Sequence, residues 1–553
     1  MNRSAAPVPV WSLLLLAFSY VFLNTAWVAE DAFITFRAVD QLLAGNGPVW
    51  NLGERVQVYT HPFWYGLLAL GTALGIESFW LALLLSYLAL LGLLALLGAW
   101  ARREGLDGRW LLGLGLALTL SRAFVDYSSS GLENPLLHLL LLATVAVAGS
   151  SAPLARRFSG ATLLYGLIFL TRPDGIVLLT PLLFWLWVQM LRTRQPWLKG
   201  ALLALLPVIG WELFSLIYYG SLVPNTALAK VNIDYPAHIL HGQARRYFVQ
   251  LLHHDPLSLL LLAAGLLGGL LQGLRRRQSL PLLLALGLLL QLAYLFRVGA
   301  DYMLGRFLSA SVLQALLILL LLAREWRWPA VPNGKRFALG ALLLALLLSP
   351  NYRLGLNYVN LEVNEGFADE RGYYYPRFGL LPVWLKKGGD YRYLLYQLQG
   401  RRAAPPLTLA YNVGMRVWLL PLDRPVIDLM ALTEPFLARL PAREGARVGH
   451  YERALPPGYL LSRLEGENRL QSKELAALYD DVWLATRSPE LFSRARWAAI
   501  WRLNSGHYRH LEVFFKRNDI NAHDVGLDGP AFRALDARRG GICPDPTAPL
   551  KIL

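Results

Sequence analysis

Glu30 and Asp31 are adjacent carboxylates set directly after the first apolar stretch of the chain, residues 8–27. A charged side chain is cheap at a membrane surface and costs several kcal/mol at mid-bilayer. A helix that ends there can hold a carboxylate rigidly against a head group carried by a lipid. The chemistry open to such a carboxylate is general base catalysis, removal of a proton from a hydroxyl whose oxygen then attacks. Asp31 is expected to be the base, with Glu30 beside it. Position alone also suits ordinary interfacial loop residues, so the assignment depends on what else the chain brings near them.

Polar chemistry recurs wherever the apolar stretches break. Residues 45–64 carry Glu54, Tyr59 and His61 among glycines, prolines and tryptophans. Glycine and proline mark tight turns there; Asn and Glu suit sugar hydroxyls, and aromatic rings suit the apolar face of a sugar. The same groups could instead satisfy one another in an ordered loop. Glu133 and Asn134 follow Tyr127-Ser128-Ser129-Ser130-Gly131-Leu132. They either meet substrate or sit at the start of the next helix, whose positive end favours a carboxylate. Arg172-Pro173-Asp174-Gly175 interrupts an apolar stretch, and an Arg and Asp so deep are costly unless paired or functional. Residues 219–230 bring Asn225 and Lys230; residues 297–306 bring Arg297, Asp301, Tyr302 and Arg306. Arginine binds phosphate bidentately and lysine as a point charge, although any of these cations could snorkel to the interface. Arg306, beside Asp301 and glycines, is favoured for function. No loop offers a Ser-His-Asp order, a HExxH helix or a CxxC pair, which argues against hydrolysis by an activated serine or by zinc.

The elements that must position these groups follow from composition. The chain has 553 residues, 55% hydrophobic and 16% charged, against roughly 25% charged in soluble proteins; its mean hydropathy is +0.39. Apolar runs of bilayer length, about 17–25 residues, recur to about residue 350 and then stop. We expect a polytopic α-helical membrane protein over residues 1–350, followed by a soluble α/β domain over 351–553. About eleven spanning helices are expected, near 8–27, 78–100, 109–124, 135–150, 159–171, 176–190, 199–219, 257–274, 279–296, 306–323 and 337–350. Residues 61–75 are apolar but short, and are expected as an amphipathic helix lying on the outer surface. In the tail, 406–411 and 425–430 read as strands flanking 412–420, a helix or a further strand, and 495–503 reads as a helix. The tail has no Walker A loop and no GxGxxG followed by a ribose-binding acid. The first apolar stretch lacks a small-x-small cleavage site and reads as a retained helix. A single cysteine, Cys543, excludes a disulfide within the chain.

Basic clusters at Arg102-Arg103, Arg156-Arg157, 192–199, 275–277 and 324–336 belong in the cytoplasm by the positive-inside rule. The loops bearing the chemistry, and the tail, then face outward across a bacterial inner membrane. The net charge of +16 is largely used in this topology. The remainder suits anionic head groups or phosphates, and nucleic acid is a poor reading.

Taken in order, these segments resemble the GT-C superfamily of polytopic glycosyltransferases, which use polyprenyl-phosphate-linked sugars. More narrowly, the chain resembles the arabinofuranosyltransferase B type of actinobacterial cell-wall synthesis and its proteobacterial relatives. The resemblance is carried by Glu30-Asp31-Ala32-Phe33-Ile34, Asn51-Leu52-Gly53-Glu54-Arg55-Val56, Tyr59-Thr60-His61-Pro62, Ser129-Ser130-Gly131-Leu132-Glu133-Asn134-Pro135, Arg172-Pro173-Asp174-Gly175, Gly220-Ser221-Leu222-Val223-Pro224-Asn225-Thr226 and Gly299-Ala300-Asp301-Tyr302. It is weaker at Val426-Ile427-Asp428-Leu429-Met430 and Gly449-His450-Tyr451-Glu452.

The resemblance implies transfer of a sugar, D-arabinofuranose, from a polyprenyl-phosphate donor to a glycan or glycoprotein acceptor by one inverting displacement. It makes Glu30 and Asp31 the base or acceptor-positioning pair. Glu-Asp stands where the actinobacterial enzymes tend to have Asp-Asp, so the choice between the two stays open. Arg306, Lys230 and Arg297 would stabilise the leaving phosphate, with His61 adding a hydrogen bond. Glu54, Tyr59, Glu133, Asn134, Arg172, Asp174, Asn225, Asp301 and Tyr302 are expected around sugar and acceptor. Some members use a divalent metal and others do not; with two carboxylates here, no tightly bound metal is expected. Mannose or aminoarabinose as the sugar, and a polysaccharide, lipopolysaccharide or pilin as the acceptor, stay open. A lipid-linked-sugar flippase would show inverted repeats and helices broken at mid-membrane, and the sequence displays neither.

Overall fold

Leucine and alanine lose little conformational freedom in a helix, and the apolar stretches of this chain are built mainly from them. The computed structural model describes residues 8–230, 235–275, 279–324, 367–392, 407–443 and 446–511. The first half is a succession of helices: α1 (Val8–Thr25), α2 (Glu30–Leu43), α3 (Pro62–Ala73), α4 (Ser78–Glu104), α5 (Gly108–Leu120), α6 (Arg122–Tyr127), α7 (Asn134–Ala148) and α8 (Leu154–Thr171). There follow α9 (Thr180–Arg192), α10 (Leu198–Tyr218), α11 (Asn225–Lys230), α12 (Ala237–His254), α13 (Pro256–Arg275), α14 (Ser279–Val298) and α15 (Ser309–Ala323). Short 3₁₀ turns, Pro173–Leu178 and Arg306–Leu308, precede α9 and α15.

Helices occupy ten of the eleven stretches expected to span. The expected span 109–124 breaks at Ser121, whose hydroxyl accepts from Phe124 N at 3.2 Å and starts α6. The stretch 337–350 lies outside the described residues, as do Arg276, Arg277 and the 324–336 cluster beyond Arg324. Among the described helices, α4, α10, α13, α14 and the run Arg306–Ala323 are long and apolar enough to cross a membrane. The helix expected at 61–75 is α3, with Pro62 in its first turn, where a missing N–H costs nothing. It is apolar on all sides rather than amphipathic. Among the helices not expected are α2 and α12, because each mixes charge with apolar residues and neither reads as a span.

The basic loops gather at one end of the bundle. Arg103 donates to the Ala146 carbonyl, Arg157 to that of Ala148, and Arg324 pairs with Glu104. The loops with the candidate chemistry lie at the opposite ends of α4, α7 and α15.

The tail contributes α16 (Glu370–Phe378), α17 (Leu380–Lys387), β1 (Thr408–Ala410), α18 (Met415–Trp418), β2 (Val426–Asp428), α19 (Tyr459–Glu465), α20 (Lys473–Arg487) and α21 (Arg494–Asn504). The two strands are parallel, with Thr408, Leu409 and Ala410 opposite Val426, Ile427 and Asp428. Both expected strands and the expected helix at 495–503 are present, and 412–420 contains the short α18. The tail is not loosely tethered. Arg37 on α2 is fully buried and donates to the carbonyls of Val417, Leu420, Pro421, Leu422 and Arg424. Asn51 exchanges two hydrogen bonds with the backbone of Val426. Residues such as Phe378, Met415 and Val426 belong to the same continuous core as the helices of the first half. A second core within the tail holds Ile427, Phe436, Tyr459 and Leu478.

Candidate active site

Backbone hydrogen bonds fix the approach to the two carboxylates. Trp27 N and Ala29 N donate to the carbonyls of Ser129 and Ser130, and Val28 N donates to that of Phe378. Glu30 and Asp31 then open α2, where the unsatisfied N–H groups of a first helical turn favour negative charge. Glu30 Oε1 accepts from Gly414 N at 2.6 Å. Burial, then the charge of Asp31, pushes the Glu30 carboxyl up to about 8, against the pull of that hydrogen bond. Asp31 Oδ2 accepts from Arg306 Nη1 at 2.8 Å. Burial alone would raise Asp31; Arg306 and Lys230 outweigh it and hold the carboxyl below its ordinary value. Glu30 is therefore the neutral member of the pair at pH 7 and Asp31 the ionised one.

Behind Asp31 a relay of charges is centred on Glu133. Its carboxylate meets Arg172 Nη1 at 2.8 Å, His61 Nδ1 at 3.4 Å and Arg306 Nη2 at 3.7 Å. Burial would raise Glu133, but His61, Arg306 and Arg172 hold it down at about 2. Arg172 Nε also meets Asp174 at 3.0 Å, and His61 Nε2 pairs with Thr35 Oγ1 at 2.9 Å. Asn134 Nδ2 reaches the Arg306 carbonyl and Ser309 Oγ. The side chain of Asp31 is 21% exposed and that of Glu133 only 1%. Asp31 can meet a ligand; Glu133 is placed to aim the arginines.

Two cavities meet at Asp31. The tail-side cavity, about 500 Å³, lies between α2, the 302 loop, α16 and the strand ends, and is lined by Glu30, Asp31, Glu370, Asn412, Arg447 and His450 among others. The helix-side cavity, about 390 Å³, is more apolar but contains Arg172, Arg306, Lys230 and His61. Leu222 and Val223, 51% and 44% exposed, lie on its wall just past the end of α10. Asp31, Ile34, Lys230 and Leu432 line both. The Tyr302 ring faces the tail-side cavity with Lys230 Nζ 5.8 Å and Arg447 Cζ 5.0 Å from its centroid, a placement that holds cations by the ring's negative face.

The chain is 29% identical over 529 residues to a terminal β-(1→2)-arabinofuranosyltransferase of Mycobacterium tuberculosis, taking in 78% of this chain and 81% of that protein. It is 28% identical over 535 residues to the protein of the same name from Corynebacterium glutamicum, taking in 77% and 72%. The chain is similar to these two glycosyltransferases along most of its length. The resemblance drawn from its loop segments is borne out, and so is the expectation of an enzyme of that class. No protein-family model matches the chain. Among solved structures, the apo oligosaccharyltransferase of Archaeoglobus fulgidus matches with a TM-score of 0.42 at 12% identity, over 78% of this chain and 65% of that one.

The fold gathers most, but not all, of the expected site residues. Asp31, Lys230, Arg306, His61, Tyr59, Arg172, Asp174 and Asp301 share the helix-side cavity, and Glu30 and Tyr302 the tail-side one. The groups expected around sugar and acceptor are thus divided between the two sides of Asp31. Arg297, at the end of α14, is exposed and lines neither cavity. Glu54 is buried elsewhere, clasped by Arg463 at 2.7 Å and Arg487 at 3.1 Å. Asn225 holds the Ala431 and Leu432 carbonyls. Both residues serve as ties between the first half and the tail. Sequence reasoning missed Glu370, Asn412 and Arg447. The only signal for that wall was the resemblance at Gly449-His450-Tyr451. Among the described residues, no group of three or more His, Cys, Asp and Glu could hold a metal ion.

Proposed function

We propose that the chain transfers D-arabinofuranose from a polyprenyl-phosphate donor to a glycan acceptor by a single inverting displacement. The observation that carries this is the position of Asp31, on the wall shared by two cavities of different character. The helix-side cavity, apolar with arginines at its base, suits a lipid phosphate. The polar tail-side cavity suits the acceptor sugar. The acceptor hydroxyl gives its proton to Asp31 as its oxygen bonds to the anomeric carbon, and the bond from that carbon to phosphate oxygen breaks on the far side. Arg306 and Lys230 meet the charge that develops on the leaving phosphate. An arriving phosphate also competes for Arg306, loosening its hold on Asp31 and making the carboxylate a stronger base as the donor seats. The division at about residue 350 belongs to the same reading: the first half supplies the donor side and the tail closes the acceptor side. The chain would lie in the bacterial inner membrane, with its basic loops in the cytoplasm and the site on the outer face.

The test is transfer by purified protein from polyprenyl-phospho-arabinofuranose to a short arabinoside. Wild type transfers, and Asp31→Asn loses about 10²–10⁴-fold in kcat, the ordinary worth of a positioned base, while still binding donor. Glu30→Gln keeps most of its activity. Full activity in Asp31→Asn removes the base assignment. Transfer of another lipid-linked sugar in place of arabinofuranose corrects the substrate alone.

A further inference from the structure

Glu370 opens α16, the helix that roofs the tail-side cavity, and the reading above gives it no role. The helix is clamped at both ends to the loops that carry the site. Before its start, Ala368 N donates to the Tyr302 carbonyl at 2.8 Å and the Ala368 carbonyl accepts from Leu304 N at 3.2 Å. After its end, the Phe378 carbonyl accepts from Val28 N and Leu380 N donates to Ala26 O. Asp369 caps the first turn by accepting from Gly372 N, and is held by Arg122 at 2.8 Å. Arg371 pairs with Asp126. The two residues flanking Glu370 are thus tied to α6, and the backbone at either end of the helix is stitched to the loops of Asp31 and Arg306.

Glu370 itself is different. It is 9% exposed, it lines the cavity, and among the described residues its carboxyl has no ion pair and no hydrogen bond. A buried carboxyl left without a partner is costly, so its position is explained by a group that arrives from outside. Burial, joined by the charges of Asp31 and Glu30 and opposed by that of Arg306, pushes Glu370 well above the ordinary carboxyl range.

We propose that Glu370 is an acceptor-binding residue, whose carboxyl grips a ring hydroxyl of the sugar that receives the transferred residue. It does so in its neutral form, as donor and acceptor at once, because burial and the neighbouring carboxyls of Asp31 and Glu30 outweigh the attraction of Arg306. Asp31 removes the proton from the reacting hydroxyl; Glu370 holds a neighbouring hydroxyl and so fixes which oxygen faces the donor. This role rests on the transferase reading.

Steady-state kinetics with donor and acceptor varied separately test it. Glu370→Ala raises the acceptor KM about tenfold, the usual scale for one lost hydrogen bond with its partner left unpaired, and leaves the donor KM within about twofold. Glu370→Gln, which imitates the neutral carboxyl, raises the acceptor KM only about two- to threefold. Binding of the short arabinoside to the inactive Asp31→Asn background, by calorimetry, weakens in parallel when Glu370→Ala is added. An unchanged donor KM shows that the variants are folded. An acceptor KM that stays put in Glu370→Ala overturns the assignment, as does Glu370→Gln being as damaging as Ala. Failure of the wild type to transfer or to bind the arabinoside overturns the underlying transferase reading instead, and with it this role.

Discussion

At the scale of single residues, the site separates two neighbouring carboxyls by environment. Burial and the charge of Asp31 raise Glu30 to about 8 against the hydrogen bond from Gly414 N; Asp31 is held low by Arg306 and Lys230. The raised value has a consequence for stability. Between pH 4.5 and about 8 the folded chain keeps the Glu30 proton and the unfolded chain has lost it, so this group makes stability fall as pH rises through that window. Glu30→Gln stays neutral throughout and its oxygen can still accept from Gly414 N. Its melting temperature should therefore fall less than the wild type's between pH 5 and 9, in paired thermal scans. Parallel curves would show that Glu30 keeps an ordinary pKa. Asp31, Lys230 and Arg306 were legible in the sequence because charges that break apolar stretches are conspicuous. Glu370 was not, since an acid in a segment of soluble composition has nothing to mark it. Glu54 misled for the opposite reason. Its loop looked like a sugar site, and its partners Arg463 and Arg487 are more than 400 residues away in the chain.

At the scale of elements, α2 decides whether the tail can close the site. Its polar residues are spread along it, so it does not read as a span, yet Arg37 and Gln41 point into the tail rather than to water. One guanidinium satisfying five tail carbonyls replaces the backbone partners that a larger sheet would have supplied. Arg37→Ala should cost at least about 3 kcal/mol, from buried carbonyls left unpaired, and free the tail from α2. Limited proteolysis should then release tail fragments that the intact chain protects, and transfer should fall together with tail attachment. An Arg37→Ala protein as protease-resistant as wild type would count against this account. The apolar helices were legible because their composition alone specifies them. The docking of α2 on α18 was not, because it rests on hydrogen bonds between residues hundreds of positions apart.

At the scale of the whole molecule, the helix-side cavity carries Leu222 and Val223 on its wall, just past the end of α10, and both face outward. A donor with a long isoprenoid tail arriving there comes sideways out of the lipid and never crosses water. The concentration that the site senses is then a surface density. Diluting the donor with inert lipid or detergent at constant bulk concentration should raise its apparent KM in proportion to the added surface. Diluting a short arabinoside acceptor in the same way should change nothing, because that substrate enters from solution. The two substrates of one reaction would obey mass action in different dimensions, one counted per area of membrane and the other per volume of water.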